Sequence, residues 1–190
     1  MHGRGADEFD LLPLLEALDP ERRLVGVAPR APLALPPGGY HWYVSRRVGY
    51  PDRETFLATY ATLARFTASL PSALGVPWSQ TVIGGFSMGA VMSYALVLGS
   101  GRTAPAGMLA FSGFIPTVEG FELDWANVRG MPVAVGHGTH DPVIPVEFGR
   151  DARQALETAG ARVLYRESPM VHAIDPLFVH ALQGWLADVV

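Results

Sequence analysis

Gly85-Phe86-Ser87-Met88-Gly89 stands where the apolar strand Thr81-Val82-Ile83-Gly84 gives way to a helix-forming run, Met88 to Leu98, that Gly99 closes. A serine flanked at minus two and plus two by glycine, between a strand and a helix, is the pattern of a nucleophile elbow. The turn is so tight that neither flanking position tolerates a side chain, and the serine hydroxyl is held out at its tip. The β-branched residues before Ser87 suit a buried parallel strand, and the nearly all-apolar run after it suits a buried helix. With 21 glycines in the chain, the five-residue pattern by itself is compatible with a glycine-rich surface loop, so its strand and helix context carries the reading.

Outward from the elbow, strands alternate with helices. Helices are predicted from the Asp7 cap to Leu18 (inward stripe Phe9, Leu12, Leu15 and Leu18), from Asp52 to Leu70 (Phe56, Tyr60, Leu63, Phe66 or Thr67, Leu70), from Glu147 to Thr158, and from Asp175 to Val189. Buried strands are predicted at Arg23 to Ala28, Gly107 to Phe111, Met131 to Val135 and Ala161 to Tyr165. The long loop from Pro29 to Pro51 holds Tyr40-His41-Trp42-Tyr43, whose aromatics either wall an apolar substrate pocket or pin the loop down. The alternation calls for an α/β fold: a mostly parallel sheet with helices on both faces, in one domain spanning 1–190.

Composition narrows the function. The chain has 190 residues, 49% of them hydrophobic, enough for a full core, and carries a net charge of −4 without a run of basic residues. Nucleic acid and anionic membranes are therefore not expected partners. With no cysteine, disulfides and thiolate chemistry are excluded, so a nucleophile must be an oxygen. The first ten residues lack the apolar core of a signal peptide, and no stretch reaches the roughly 20 apolar residues of a membrane span. A cytoplasmic location is expected on these grounds.

A serine hydroxyl is a poor nucleophile near neutral pH and needs a base to take its proton and an acid to hold that base. Asp141 follows the Met131 to Val135 strand in His137-Gly138-Thr139-His140-Asp141-Pro142-Val143-Ile144-Pro145, and His172 follows the last strand in Ser168-Pro169-Met170-Val171-His172-Ala173-Ile174. Both sit after the carboxyl ends of strands, in the order serine, acid, histidine. The other histidines are worse placed as the base. His2 and His41 precede the nucleophile, His180 falls inside a helix, and His137 and His140 share the acid's loop. No third spaced cluster accompanies His137, His140 and Asp141, so no metal and no other cofactor is expected. The oxyanion of a tetrahedral intermediate requires preorganised amides, and the Met88 N–H after the nucleophile is one. His2-Gly3-Arg4-Gly5 is read as the source of the second, through the Arg4 amide.

On His2-Gly3-Arg4-Gly5-Ala6-Asp7-Glu8, Gly85 to Ala90, His137 to Pro145 and the pair His172 and Ile174, the chain resembles the small carboxylesterase and phospholipase family of α/β-hydrolases, which includes acyl-protein thioesterase-like enzymes. The resemblance implies a metal-free serine hydrolase acting on short- to medium-chain acyl esters, with Ser87, Asp141 and His172 catalytic. Acyl thioesters and lysophospholipids are alternative substrates using the same machinery. Trp42, Tyr43, Phe114 and Ile115 are candidates for the acyl wall. Members similar to this chain begin with an apolar strand running into the His-Gly loop, between the Arg23 to Ala28 strand and the elbow strand. Met1 stands where that strand ends, so the sheet is expected to lack its N-terminal strands. Such a gap leaves open that the chain is a truncated form, that flanking strands close up, that a homodimer forms across it, or that the fold serves as a catalytically weak binding protein.

Overall fold

The computed structural model describes residues 1–190. After α1 (Leu12–Leu18) come two small antiparallel ribbons, β1 (Leu33–Ala34) with β2 (Tyr40–His41) and β3 (Ser45–Arg47) with β4 (Tyr50–Pro51). Then follow α2 (Arg53–Leu74), β5 (Val82–Phe86), α3 (Met88–Leu98), β6 (Gly107–Phe111), β7 (Pro132–Gly138), α4 (Glu147–Thr158), β8 (Arg162–Ser168) and α5 (Pro176–Val189). Strands β5 to β8 form one parallel sheet in the order β5-β6-β7-β8. No helix is long and apolar enough to cross a membrane.

The predicted α/β architecture holds because both faces of the sheet are covered. Met108, Ala110, Val133 and Val135 point to a core shared with α2, α3 and α4, whereas Leu109, Phe111 and Ala134 point to one shared with α1 and α5. Two buried faces explain why β6 is apolar at every position, and why α3, sunk beneath the sheet, is buried at all eleven of its residues. Asp52 caps α2 by accepting the Thr55 N–H at 3.0 Å. That helix runs through Pro71 to Gly75, whose φ of 68° closes it, four residues beyond the expected end, and it buries Thr67 rather than Phe66.

Two expectations fail. The first helix starts at Leu12, not after Asp7. Pro13 has no N–H to give and is tolerated only in a first turn, so the preceding residues form turns in which the Asp7 carboxylate accepts the Phe9 N–H at 2.9 Å. Phe9, expected on the inward stripe, is 63% exposed. Arg23 to Ala28 is not a strand: it runs irregularly with Leu24, Val25 and Val27 largely exposed. A strand exists only where a ladder partner exists, and this segment has none. It lines a cleft of about 760 Å³ bounded by α1, α2, α5 and the outer edge of β5.

That outer edge is met by the first residue alone. The Met1 amine donates to the Gly84 carbonyl at 2.8 Å, and the Met1 carbonyl accepts the Phe86 N–H at 3.1 Å, one rung of a parallel ladder. β5 is consequently the terminal strand of the four, with its inner edge bonded to β6.

Candidate active site

The elbow is formed as its glycines require. Ser87 has φ 55° and ψ −121°, a strained conformation for a residue with a side chain, and is locked there by its N–H bond to the Phe111 carbonyl at 2.8 Å. A Cβ on Gly85 would lie 2.4 Å from the Gly89 carbonyl carbon, and one on Gly89 would lie 2.1 Å from the Met1 carbonyl oxygen and 2.6 Å from that of His2. Gly89 is therefore the seat on which the amino-terminal segment rests.

Three side chains from three strand ends converge at the tip of the turn. Ser87 Oγ is 2.8 Å from His172 Nε2, and His172 Nδ1 is 2.6 Å from Asp141 Oδ2. A carboxylate only accepts, so the imidazole hydrogen lies on Nδ1 and Nε2 is left to accept the serine O–H. The other Asp141 oxygen accepts the Val143 and Ile144 N–H groups, each at 2.8 Å. Burial pushes the Asp141 pKa up, but the His172 N–H and these two amides outweigh it and hold the carboxyl below its ordinary range. Asp141 thus stays ionised beside the imidazole. The Phe86 ring lies 4.7 Å from that of His172, tilted by 38°, and supports the imidazole from below.

The proposed oxyanion donors also come near Ser87. Met88 opens α3, so its N–H has no carbonyl one turn back to bond. A Cβ on Gly3 would lie 3.4 Å from the Ser87 Cβ, which places the Gly3-Arg4 peptide beside the nucleophile. His2 holds this segment from within. The buried ring bonds the Gly3 carbonyl through Nδ1–H at 2.7 Å and accepts the Ala31 N–H at Nε2 at 3.0 Å. Burial lowers the His2 pKa, with the Gly3 hydrogen bond opposing.

Of the four acyl-wall candidates, Trp42, Tyr43 and Phe114 lie in the main core and only Ile115 is partly exposed. The Trp42 indole donates to the His2 carbonyl at 2.9 Å, and its backbone N–H contacts the Met88 sulfur at 3.4 Å. The aromatic loop pins the site from beneath. His41 bonds the nearby Tyr43 carbonyl, and His140, whose N–H bonds the Met170 carbonyl, ties the acid's loop to that of His172. No cluster of three or more His, Asp and Glu side chains could hold a metal. Sequence reasoning missed Phe86 and passed over His137 as a bystander; the separation of four between His137 and Asp141 was the signal available for the latter.

A model of the phospholipase/carboxylesterase family matches residues 1–190. Acyl-protein thioesterase 1 of Candida albicans is 28% identical over 181 residues, covering 86% of this chain and 78% of that protein. Its namesake in Debaryomyces hansenii is 31% identical over 145 residues, covering 70% and 62%. Among solved structures, the Bacillus cereus carboxylesterase is similar with a TM-score of 0.84 at 25% identity, covering 100% of this chain and 86% of that one. Esterase PE8 gives a TM-score of 0.85 at 26% identity, covering 100% and 90%. The sheet, the glycine-flanked elbow and a family match running from the first residue to the last agree: the chain belongs to the phospholipase/carboxylesterase family of α/β-hydrolases.

Proposed function

We propose that the protein is a serine carboxylesterase that hydrolyses short- to medium-chain acyl esters through an acyl-enzyme. Ser87 Oγ attacks the ester carbonyl carbon while its proton passes to His172 Nε2. The oxyanion so formed is met by the Met88 and Arg4 amides, and the imidazolium is held by Asp141. As the tetrahedral carbon collapses, His172 returns the proton to the departing alkoxide and the alcohol leaves. Water then attacks the acyl-Ser87 carbonyl with His172 again as base, and the acid departs with Ser87 restored. The observation that carries this reading is the unbroken contact Ser87–His172–Asp141, at 2.8 and 2.6 Å.

A thioester substrate is the second reading, favoured by relatives that bear the name acyl-protein thioesterase 1. The same atoms serve it, with a thiolate as leaving group. Replacing Ser87→Ala is expected to abolish both turnover of p-nitrophenyl esters and labelling by a fluorophosphonate. Turnover by the purified variant at the parent rate would remove Ser87 from the reaction. Parent rates on p-nitrophenyl esters and acyl-thioesters of matched chain length rank the two substrate classes. A parent protein that turns over neither leaves the fold as a binding protein.

A further inference from the structure

Behind the acid of the site lies a second imidazole that the proposed reaction does not use. His137 is near the end of β7 with its side chain fully buried. Its Nε2 lies 2.8 Å from the Ile144 carbonyl and 3.6 Å from Asp141 Oδ2. The carbonyl can only accept, so the ring hydrogen sits on Nε2. Nδ1 is buried with no hydrogen-bond partner. The ring is walled on that side by the first turn of α4, where a Cβ on Gly149 would lie 2.6 Å from Nδ1.

A buried polar atom without a partner is costly, and an apolar side chain of similar volume would incur no such cost. The bond at the other nitrogen is what the ring contributes. Ile144 is the residue whose N–H, together with that of Val143, holds Asp141 Oδ1. The two peptide groups that flank the Ile144 Cα are thus both gripped, the one after it at its carbonyl by His137 and the one before it at its N–H by Asp141.

Resting on the proposed role of Asp141, we propose that His137 is a positioning residue for that acid. Through the Ile144 carbonyl it holds the turn over residues 141–144 in the shape that aims Asp141 Oδ2 at His172 Nδ1. It touches neither substrate nor nucleophile.

Three substitutions separate positioning from filling. In His137→Gln the amide nitrogen reaches about as far as Nε2, in His137→Asn it stops near the position of Nδ1, and His137→Leu keeps volume alone. The glutamine variant is expected to retain kcat within about threefold. The asparagine and leucine variants should lose about 10- to 100-fold in kcat, with KM within about twofold, the range typical for groups that orient a reacting shell. The proton in the His172–Asp141 hydrogen bond, read as a far-downfield proton resonance, should persist in the glutamine variant and broaden or move upfield in the other two. Equal kcat per titrated site in all three, with only thermal stability reduced, would overturn the proposal. So would failure of all three to fold, which assigns the ring to stability alone.

Gly149→Ala tests the same contact with His137 intact. The added methyl presses the ring from the Nδ1 side, and kcat should fall several-fold while the downfield resonance shifts. An unchanged rate and resonance would count against the proposal. Fluorophosphonate titration of the parent protein keeps the two claims apart: if the parent is not labelled, the Ser87 reading fails, whereas a labelled parent with indifferent His137 variants sinks only the positioning role.

Discussion

Gly89→Ala is the most demanding perturbation, because the atoms it offends belong to backbone and cannot swing aside. The new Cβ would sit 2.1 Å from the Met1 carbonyl oxygen and 2.6 Å from that of His2, against about 3.3 Å for the closest comfortable carbon-to-oxygen approach. Either α3 or the His2-Gly3-Arg4 segment must retreat by roughly 1.2 Å. The helix is buried along its whole length, so the amino-terminal segment is the part that yields. It carries the Arg4 amide beside Ser87, and a misplacement of about 1 Å at a reacting centre costs on the order of 100-fold in rate. Overpacking removes about 1–3 kcal/mol, offset by up to about 1 kcal/mol from the better helix propensity of alanine. The net change for a domain of this size is a fall in Tm of a few degrees. Initial rates on p-nitrophenyl butyrate and a thermal melt measure both effects, with Gly184→Ala as control. Gly184 lies in α5 with no atom within 4 Å of its would-be Cβ, so that variant should be neutral or slightly stabilised with full activity. If Gly89→Ala keeps more than half the parent kcat and an unchanged Tm, Gly89 is not a seat for the segment and the oxyanion role of Arg4 goes with it.

Asp141→Asn preserves shape but removes the charge that fixes the His172 tautomer; kcat should drop by about 10³- to 10⁴-fold with Ser87 still present, and a loss under tenfold in steady-state assays would speak against that role. His2 is held neutral by burial, so the unfolded chain binds its proton more readily than the folded one. Its contribution to stability is full above about pH 6.5 and is lost as pH falls from there through its lowered pKa, at a slope of at most about 1.4 kcal/mol per pH unit. Denaturant melts of the parent and of His2→Gln should converge as pH drops from 7 to 5, and parallel curves would contradict the assignment.

The elbow was legible because its geometry is local: two glycines and a serine between a β-branched run and an apolar helix describe a turn that needs no distant partner to be recognised. Asp141 and His172 were legible for a related reason, since each follows a strand end and parallel strands deliver their carboxyl ends to one side of a sheet. Arg23 to Ala28 misled because its short run of apolar residues states only a willingness to pair. Phe9 misled because Pro13 moved the start of the helix past it. Trp42 and Tyr43 carry the composition of a pocket wall yet lie in the core, for an aromatic side chain reads alike whether it faces a cavity or other side chains.

The amino-acid sequence by itself determined the alternating elements, the sheet with two covered faces, and the nature and order of the serine, the acid and the histidine. Those follow from periodicity, turn chemistry and the needs of an oxygen nucleophile, all of which act over a few residues. Only the tertiary structure decided that Phe86 underlies His172, that Met1 and His2 rest on Gly89, and that His137 grips the Ile144 carbonyl behind Asp141. Each of these is a contact across a packed interior, fixed by which surfaces meet when the sheet and its helices close together, and interior contacts leave no period in the chain.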